Sequence, residues 1–226
     1  VVDNGDFFEM RELYASGLIT GFARLDGWSV GVIGSDPMSK AGAMDGNAAD
    51  KYTHFVDLCD TFNLPLLIFL DMPGFMLGSH AERIATMRRG ARALIASAEC
   101  EVPKIEFMVR KSYGVAADAP NSIGLPNSLN LRFGWPSGEW GGIPIEGGVA
   151  AAYRREIAEA DDPEAHRAAI EERLLRLRSP FRAAHRGDVV DLIDPRETRA
   201  LACRFINLAQ PKLRELAQRP KRAVRP

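Results

Sequence analysis

The stretch Ile105-Glu106-Phe107-Met108-Val109-Arg110-Lys111-Ser112-Tyr113-Gly114-Val115-Ala116-Ala117-Asp118 decides how the chain is read. Ile105 to Val109 has the length and apolar character of a strand covered on both faces. The residues from Arg110 to Asp118 then mark a strand turning into a helix. The same grammar stands upstream, where Leu66 to Leu70 empties into Asp71-Met72-Pro73-Gly74-Phe75. Between the two strands, Ile84, Met87, Ala91, Leu94, Ile95 and Ala98 fall along one side of a helix predicted over Ala81–Cys100, limited by Pro103. Strand, crossover helix and strand imply parallel pairing with a right-handed crossover.

Working outward, Leu18 to Leu25 and Trp28 to Gly34 are β-rich runs joined by Asp26-Gly27, a strong hairpin signal. Ala48, Tyr52, Phe55, Val56, Cys59 and Phe62 recur at helical spacing and end before Pro65. Leu129 to Phe133 reads as a third core strand, Gly134 to Gly148 as loop, and Val149 to Ile157 as a helix. Asp162-Pro163-Glu164 starts a charged, Arg-rich helix reaching about Arg178. Val189 to Ile193 is strand-like, and Asp194-Pro195-Arg196-Glu197 caps a final helix expected to run to about Ala209. The pattern is one of stacked β-β-α units, with no internal repeat.

The 226 residues are 46% hydrophobic and 26% charged, which excludes disordered, collagen-like and disulfide-scaffold classes. The net charge of −1 hides a gradient: residues 1–150 carry 12 Lys and Arg against 18 Asp and Glu, and 151–226 carry 17 against 12. The basic stretch Lys212 to Arg225 lacks interleaved aromatics and any nucleic-acid motif, so it is expected to be a solvated terminus with no nucleic-acid partner. Cys59, Cys100 and Cys203 are far apart and in no metal spacing, as in a reducing compartment, and a cytoplasmic location is expected. The longest apolar run, Leu64 to Leu70, is too short to span a bilayer. The opening Val1-Val2-Asp3, without Met, is expected of a processed chain or an excised piece.

Conventional catalytic groups are scarce. His54, His80, His166 and His185 stand in no known motif, with only His80 on a loop after a buried strand. There is no phosphate-binding glycine loop and no metal-ligand spacing. What remains is stabilisation of an oxyanion by backbone N–H groups at tight turns. Two strand-exit segments fit, Asp71 to Phe75 and Lys111 to Ala116, and both also fit an ordinary strand-helix connection.

The ordered set Val2-Asp3-Asn4-Gly5-Asp6-Phe7-Phe8-Glu9, Asp50-Lys51, Phe55-Val56, Cys59 to Pro65, Asp71 to Phe75, Gly78, Val102-Pro103-Lys104, Arg110 to Gly114, Trp135-Pro136 and Glu146-Gly147 resembles the carboxyltransferase subunits of biotin-dependent acyl-CoA carboxylases, in their carboxyl-terminal lobe. The resemblance covers about residues 1 to 200. It implies an α/β, crotonase-like superhelix of β-β-α units with flanking C-terminal helices. The divisions it implies are a core at about 15–160, a helical extension at about 161–210 and a basic tail at 211–226. It also implies transfer of a carboxyl group from carboxybiotin to the α carbon of an acyl-CoA. The partners would be the acyl-CoA, a biotin carboxyl carrier protein and an amino-terminal carboxyltransferase lobe, in a homo- or hetero-oligomer, with biotin as cofactor and no metal in this chain.

Carried over by position, the biotin-side oxyanion hole falls on the N–H groups of Val115 and Ala116, with Gly114 setting the turn. Tyr113 and Pro73, Gly74 and Phe75 would shape the biotin wall, and Asp118 would face the acyl chain or serve as a first-turn acid. The chain departs from the family where Val115 replaces a glycine, where Ile84-Ala85 replace Gly-Gly, and at Pro144; each change is expected to fill space near the pocket. Two other readings follow. One is a stand-alone acyl-CoA hydratase or isomerase, for which Glu139 and Glu146 are the nearest acid-base candidates. The other is a non-catalytic scaffold lobe that keeps only the fold.

Overall fold

The computed structural model describes residues 1–118, 120, 129–220 and 224, apart from the side chains of Glu146 and Gly147. Its spine is a sheet in the order β1-β2-β3-β4-β5-β6-β8. β1 (Phe7–Glu9), β2 (Leu18–Leu25) and β3 (Trp28–Ser35) run antiparallel, and β4 (Leu66–Met72), β5 (Lys104–Tyr113), β6 (Asn130–Gly134) and β8 (Asp191–Leu192) continue the sheet in parallel. The β2–β3 turn holds Asp26 at φ 51° and Gly27 at φ 79°, the pair of left-handed residues that lets a two-residue turn follow the twist of its strands. The Asp3 carboxylate accepts both turn amides, Asp26 N at 3.0 Å and Gly27 N at 2.7 Å, and Arg199 holds its other side.

Side chains alternate across the sheet, so each strand feeds two apolar layers. Leu66, Ile68, Leu70 and Met108 meet α1 (Gly46–Thr61) and α3 (Thr86–Glu99) through Tyr52, Phe55, Ala93 and Ala96. Leu67, Ile105, Phe107 and Phe133 face α9 (Thr198–Leu216), where Phe205 and Ile206 close the layer. Phe107 stacks between Phe69 and Phe133, with ring centroids 5.6 and 5.9 Å away.

At its upper end β5 changes partner. The β4–β5 register slips between Leu70↔Met108 and Met72↔Ser112, leaving a bulge on β5. The buried Asp71 carboxylate satisfies it, accepting from Lys111 N at 3.0 Å and Arg110 Nε at 3.0 Å. Beyond the bulge, Lys111–Tyr113 pairs with β7 (Glu139–Gly141), and the chain turns into α4 (Gly114–Asp118). α5 (Ile145–Ala152), α6 (Arg154–Ala158), α7 (Pro163–Leu177) and α8 (Pro180–Arg186) complete this end around a small core of Ile145, Val149 and Ile170.

Several sequence expectations need correction. The helix expected over Ala81–Cys100 is two, α2 (Ser79–Arg83) and α3, because Ala85 adopts the left-handed conformation (φ 54°) and interrupts the ladder. The stretch Gly134–Gly148 is not all loop, since it contains β7 and the start of α5. The helix expected over Val149–Ile157 breaks at Tyr153 into α5 and α6. The strand expected over Val189–Ile193 shortens to Asp191–Leu192. The last helix runs past Ala209 to Leu216 with Pro211 inside it, because Leu213 and Leu216 are buried. Lys212 to Leu216 is therefore packed helix rather than solvated terminus, while Arg225 lies outside the described residues. No helix among the described residues is long and apolar enough to cross a membrane.

Candidate active site

A cleft of about 1160 Å³ opens where β5 ends, with Tyr113, Gly114, Val115, Asp118 and Arg132 on one side and Leu174, Leu177, Arg178 and Arg182 of α7–α8 on the other. Gly114 sets its floor. Its φ of +62° is natural for glycine, and a Cβ there would lie 3.2 Å from the Gly142 carbonyl oxygen. Gly142 faces open space, so the rim opposite the turn is bare backbone.

Val115 and Ala116 are the second and third residues of α4, where amides lack intrahelical acceptors. Among the described residues neither amide has a backbone or side-chain acceptor. The two are not presented alike: Val115 lines the cleft and is 54% exposed, whereas Ala116 is completely buried. The valine side chain thus stands in the cleft and does not pack into the core.

Tyr113 is fixed below the floor. Its hydroxyl donates to Glu139 Oε2 at 3.0 Å, and Arg178 Nη1 reaches the same oxygen at 3.2 Å. Burial, reinforced by the Glu139 carboxylate, pushes the phenol up to about 12, so Tyr113 stays protonated near neutral pH. Glu139 is accordingly engaged as an acceptor and anchors β7 to β5, which leaves it poorly suited to the acid-base role a hydratase needs; the side chain of Glu146 lies outside the described residues. Nothing in the sequence pointed to the Tyr113–Glu139–Arg178 cluster, since its members come from three elements.

Pro73, Gly74 and Phe75 do not line the cleft. Gly74 O accepts from Met44 N at 3.0 Å, and a Cβ on Gly74 would lie 3.6 Å from Tyr113 O, so the loop buttresses the end of β5 from behind. Phe75 seats on Gly90, where a Cβ would come within 2.4 Å of its ring. Ile84-Ala85 form the α2–α3 break, away from the cleft lining, whereas Pro144 precedes α5 between Ile143 and Ile145, both of which line the cleft. His80 is an exposed residue of α2, likewise outside the lining. Asp118 does border the cleft, its side chain 73% exposed.

The sheet of β-β-α units has the crotonase fold, and the chain belongs to the carboxyl transferase domain family, which it matches over residues 1–224. It is 42% identical over 200 residues to the methylmalonyl-CoA carboxyltransferase 12S subunit of Propionibacterium freudenreichii subsp. shermanii, covering 88% of this chain and 38% of that one. It is 38% identical over 217 residues to the propionyl-CoA carboxylase beta chain of Saccharopolyspora erythraea, covering 94% and 39%. The structure of transcarboxylase 12S, a hexamer with methylmalonyl-coenzyme A and methylmalonic acid bound, superposes with a TM-score of 0.81 at 38% identity, over 100% of this chain and 42% of that one. The geranyl-CoA carboxylase beta subunit of P. aeruginosa shares the fold, with a TM-score of 0.84 at 22% identity over 99% and 42%. The chain spans about two fifths of the length of these relatives.

Proposed function

We propose that this chain is the biotin-side lobe of an acyl-CoA carboxyltransferase, which moves a carboxyl group from carboxybiotin to the α carbon of an acyl-CoA. The observation that carries the reading is the left-handed glycine at Gly114, which ends β5 and opens Val115 into the cleft with no acceptor on its amide among the described residues. The carboxybiotin, on its carrier protein, supplies the activated carboxyl group. The chain contributes preorganised donors: the Val115 amide, with Ala116 beneath it, would face negative charge on a ureido oxygen, where a fixed dipole needs no reorganisation. Tyr113, Glu139 and Arg178 hold the turn and β7 in register, and Pro73 to Phe75 brace it from behind. The absence of a free catalytic histidine fits a reaction of this kind, in which positioning does most of the work.

The remaining half of the site, on the acyl-CoA side, would come from an amino-terminal lobe, consistent with the short span of the relatives covered. Methylmalonyl-CoA and propionyl-CoA are the substrates that the relatives' names suggest. Three free cysteines fit a reducing compartment such as the cytoplasm. A second reading, a scaffold lobe, is favoured by the burial of Ala116. The test mixes the chain with a matching amino-terminal lobe, propionyl-CoA and carboxybiotin and measures carboxylated product. Product formation that rises with Val115→Gly supports a working hole; no product under any pairing, with Val115→Gly equally silent, supports the scaffold.

A further inference from the structure

The cleft at the end of β5 has two unlike sides. Its loosely paired charges lie around β6 and α8, with Asp118 Oδ1 3.8 Å from Arg132 Nη1 and Arg186 Nε 3.7 Å from Asp188 Oδ2. Around α5 and α7 it is lined by Ile143, Ile145, Ala152, Tyr153, Leu174 and Leu177, none of them charged. Three of these, Ile143, Tyr153 and Leu174, pack against the small core of Ile145, Val149 and Ile170 and are only partly covered by it. Leu177, 43% exposed, and Val115, 54% exposed at the turn, add bare apolar surface to the same cleft. The Arg173 guanidinium, 6.0 Å from the centre of the Tyr153 ring, steadies the tyrosine. Apolar side chains gain free energy in proportion to the area they remove from water, so a core this small with a half-covered rim forgoes that gain until another apolar group closes it.

We propose that this rim is an acyl-chain pocket, and that the acyl-CoA taken by the site carries a hydrocarbon tail well beyond the three carbons of propionyl. The rim shares its cavity with the Gly114 turn, so an acyl group held at the turn can send its chain along the rim without leaving the cleft. A volume of about 1160 Å³ is large enough to enclose a whole drug-sized ligand, and a three-carbon acyl group would leave most of the rim wet. An uncharged lining gives a phosphate or carboxylate no partner, whereas methylene groups need only close contact and the exclusion of water. The exposed Val115 side chain, which the core does not use, adds its methyl groups to the apolar surface at the turn. The inference rests on reading the cleft as the site of carboxyl transfer, and adds the class of acyl group it accepts.

The test titrates the full 226-residue chain with propionyl-CoA and with decanoyl-CoA, below the micellar range, by calorimetry. Decanoyl-CoA is expected to bind at least about tenfold tighter, a modest part of the roughly fourfold per methylene that complete burial gives. Leu177→Gln should weaken decanoyl-CoA at least about fivefold and propionyl-CoA less than about twofold. Leu175→Gln, a neighbour of matching exposure (41%) outside the lining, should change decanoyl-CoA less than about twofold. A chain-length gain below about tenfold, or a Leu175→Gln loss as large as that of Leu177→Gln, overturns the inference. If Leu177→Gln does not fold, Ala152→Gln, at an exposed position of the same rim, decides, and an undiminished decanoyl-CoA affinity overturns it. With a matching amino-terminal lobe present, carboxyl transfer to propionyl-CoA by a chain whose affinity does not rise with tail length rejects the pocket alone. A chain-length gain without transfer to any acyl-CoA rejects the broader reading alone.

Discussion

The two ends of β5 are held by different physics. From Lys104 to Met108 the strand lies between β4 and β6, sandwiched by two apolar layers in which Phe107 and Met108 have no exposed surface. From Val109 to Tyr113 it is bulged, pairs with a three-residue strand, and leans on helices whose own core is Ile145, Val149 and Ile170. There the ties are discrete: Asp71 to Arg110 and Lys111, Tyr113 and Arg178 to Glu139, and Ser137 Oγ donating to Val109 O at 2.6 Å. Packing makes the lower end stable, while a few charge-assisted bonds place the turn at the upper end. A turn set by point contacts can be moved without unfolding the protein.

The contrast is broken most directly by truncating each core. Phe107→Ala should cost about 3–5 kcal/mol of global stability in urea titrations. Ile170→Ala should cost less globally and instead release α5–α7 to early amide hydrogen exchange; equal global losses would merge the two regions into one unit. Asp71→Asn removes the charge from the bulge tie and should cost about 1.5–3 kcal/mol while lowering carboxyl transfer more than stability. Gly114→Ala forces a Cβ into the left-handed region and toward Gly142 O, a stability loss of roughly 1 kcal/mol with a proportionally larger loss of transfer.

The smallest effect concerns the far end of the sheet. The Gly27 amide, with Arg199 and the Asp26 amide, holds the Asp3 carboxyl down to about 2 from its ordinary 3.8. A carboxyl depressed by folding adds stability that is complete above its ordinary value and is lost as pH falls from about 4 to 2. Asp3→Asn should flatten the acid limb of the melting-temperature profile in that window and leave carboxyl transfer at neutral pH unchanged.

Much of the lower region was legible in the sequence, because continuous apolar runs and the Asp26-Gly27 turn encode burial and pairing locally. The upper region was less so. Glu139-Trp140-Gly141 is too short to show a period, yet β5 recruits it as a strand. The apolar rhythm around Ile84 and Met87 continues straight through Ala85, so the helix break, set by backbone conformation, leaves no mark in hydropathy. The Gly114 turn and Val115 were visible as motif, whereas the cleft's second wall, Arg178 and Arg182, comes from helices far along the chain. Pro73 to Phe75 carried a signature that is weak on its own, and Gly74 packs against the Tyr113 carbonyl, a contact that spacing alone does not reveal.

The most direct test of the account follows the backbone amide resonances of the ¹⁵N-labelled chain during titration with free biotin. The account predicts saturable downfield shifts concentrated at Gly114 and Val115, with Ala116 following and the Lys104–Met108 amides unmoved. Shifts absent from that turn, or spread evenly over the surface at the same biotin concentration, would contradict it.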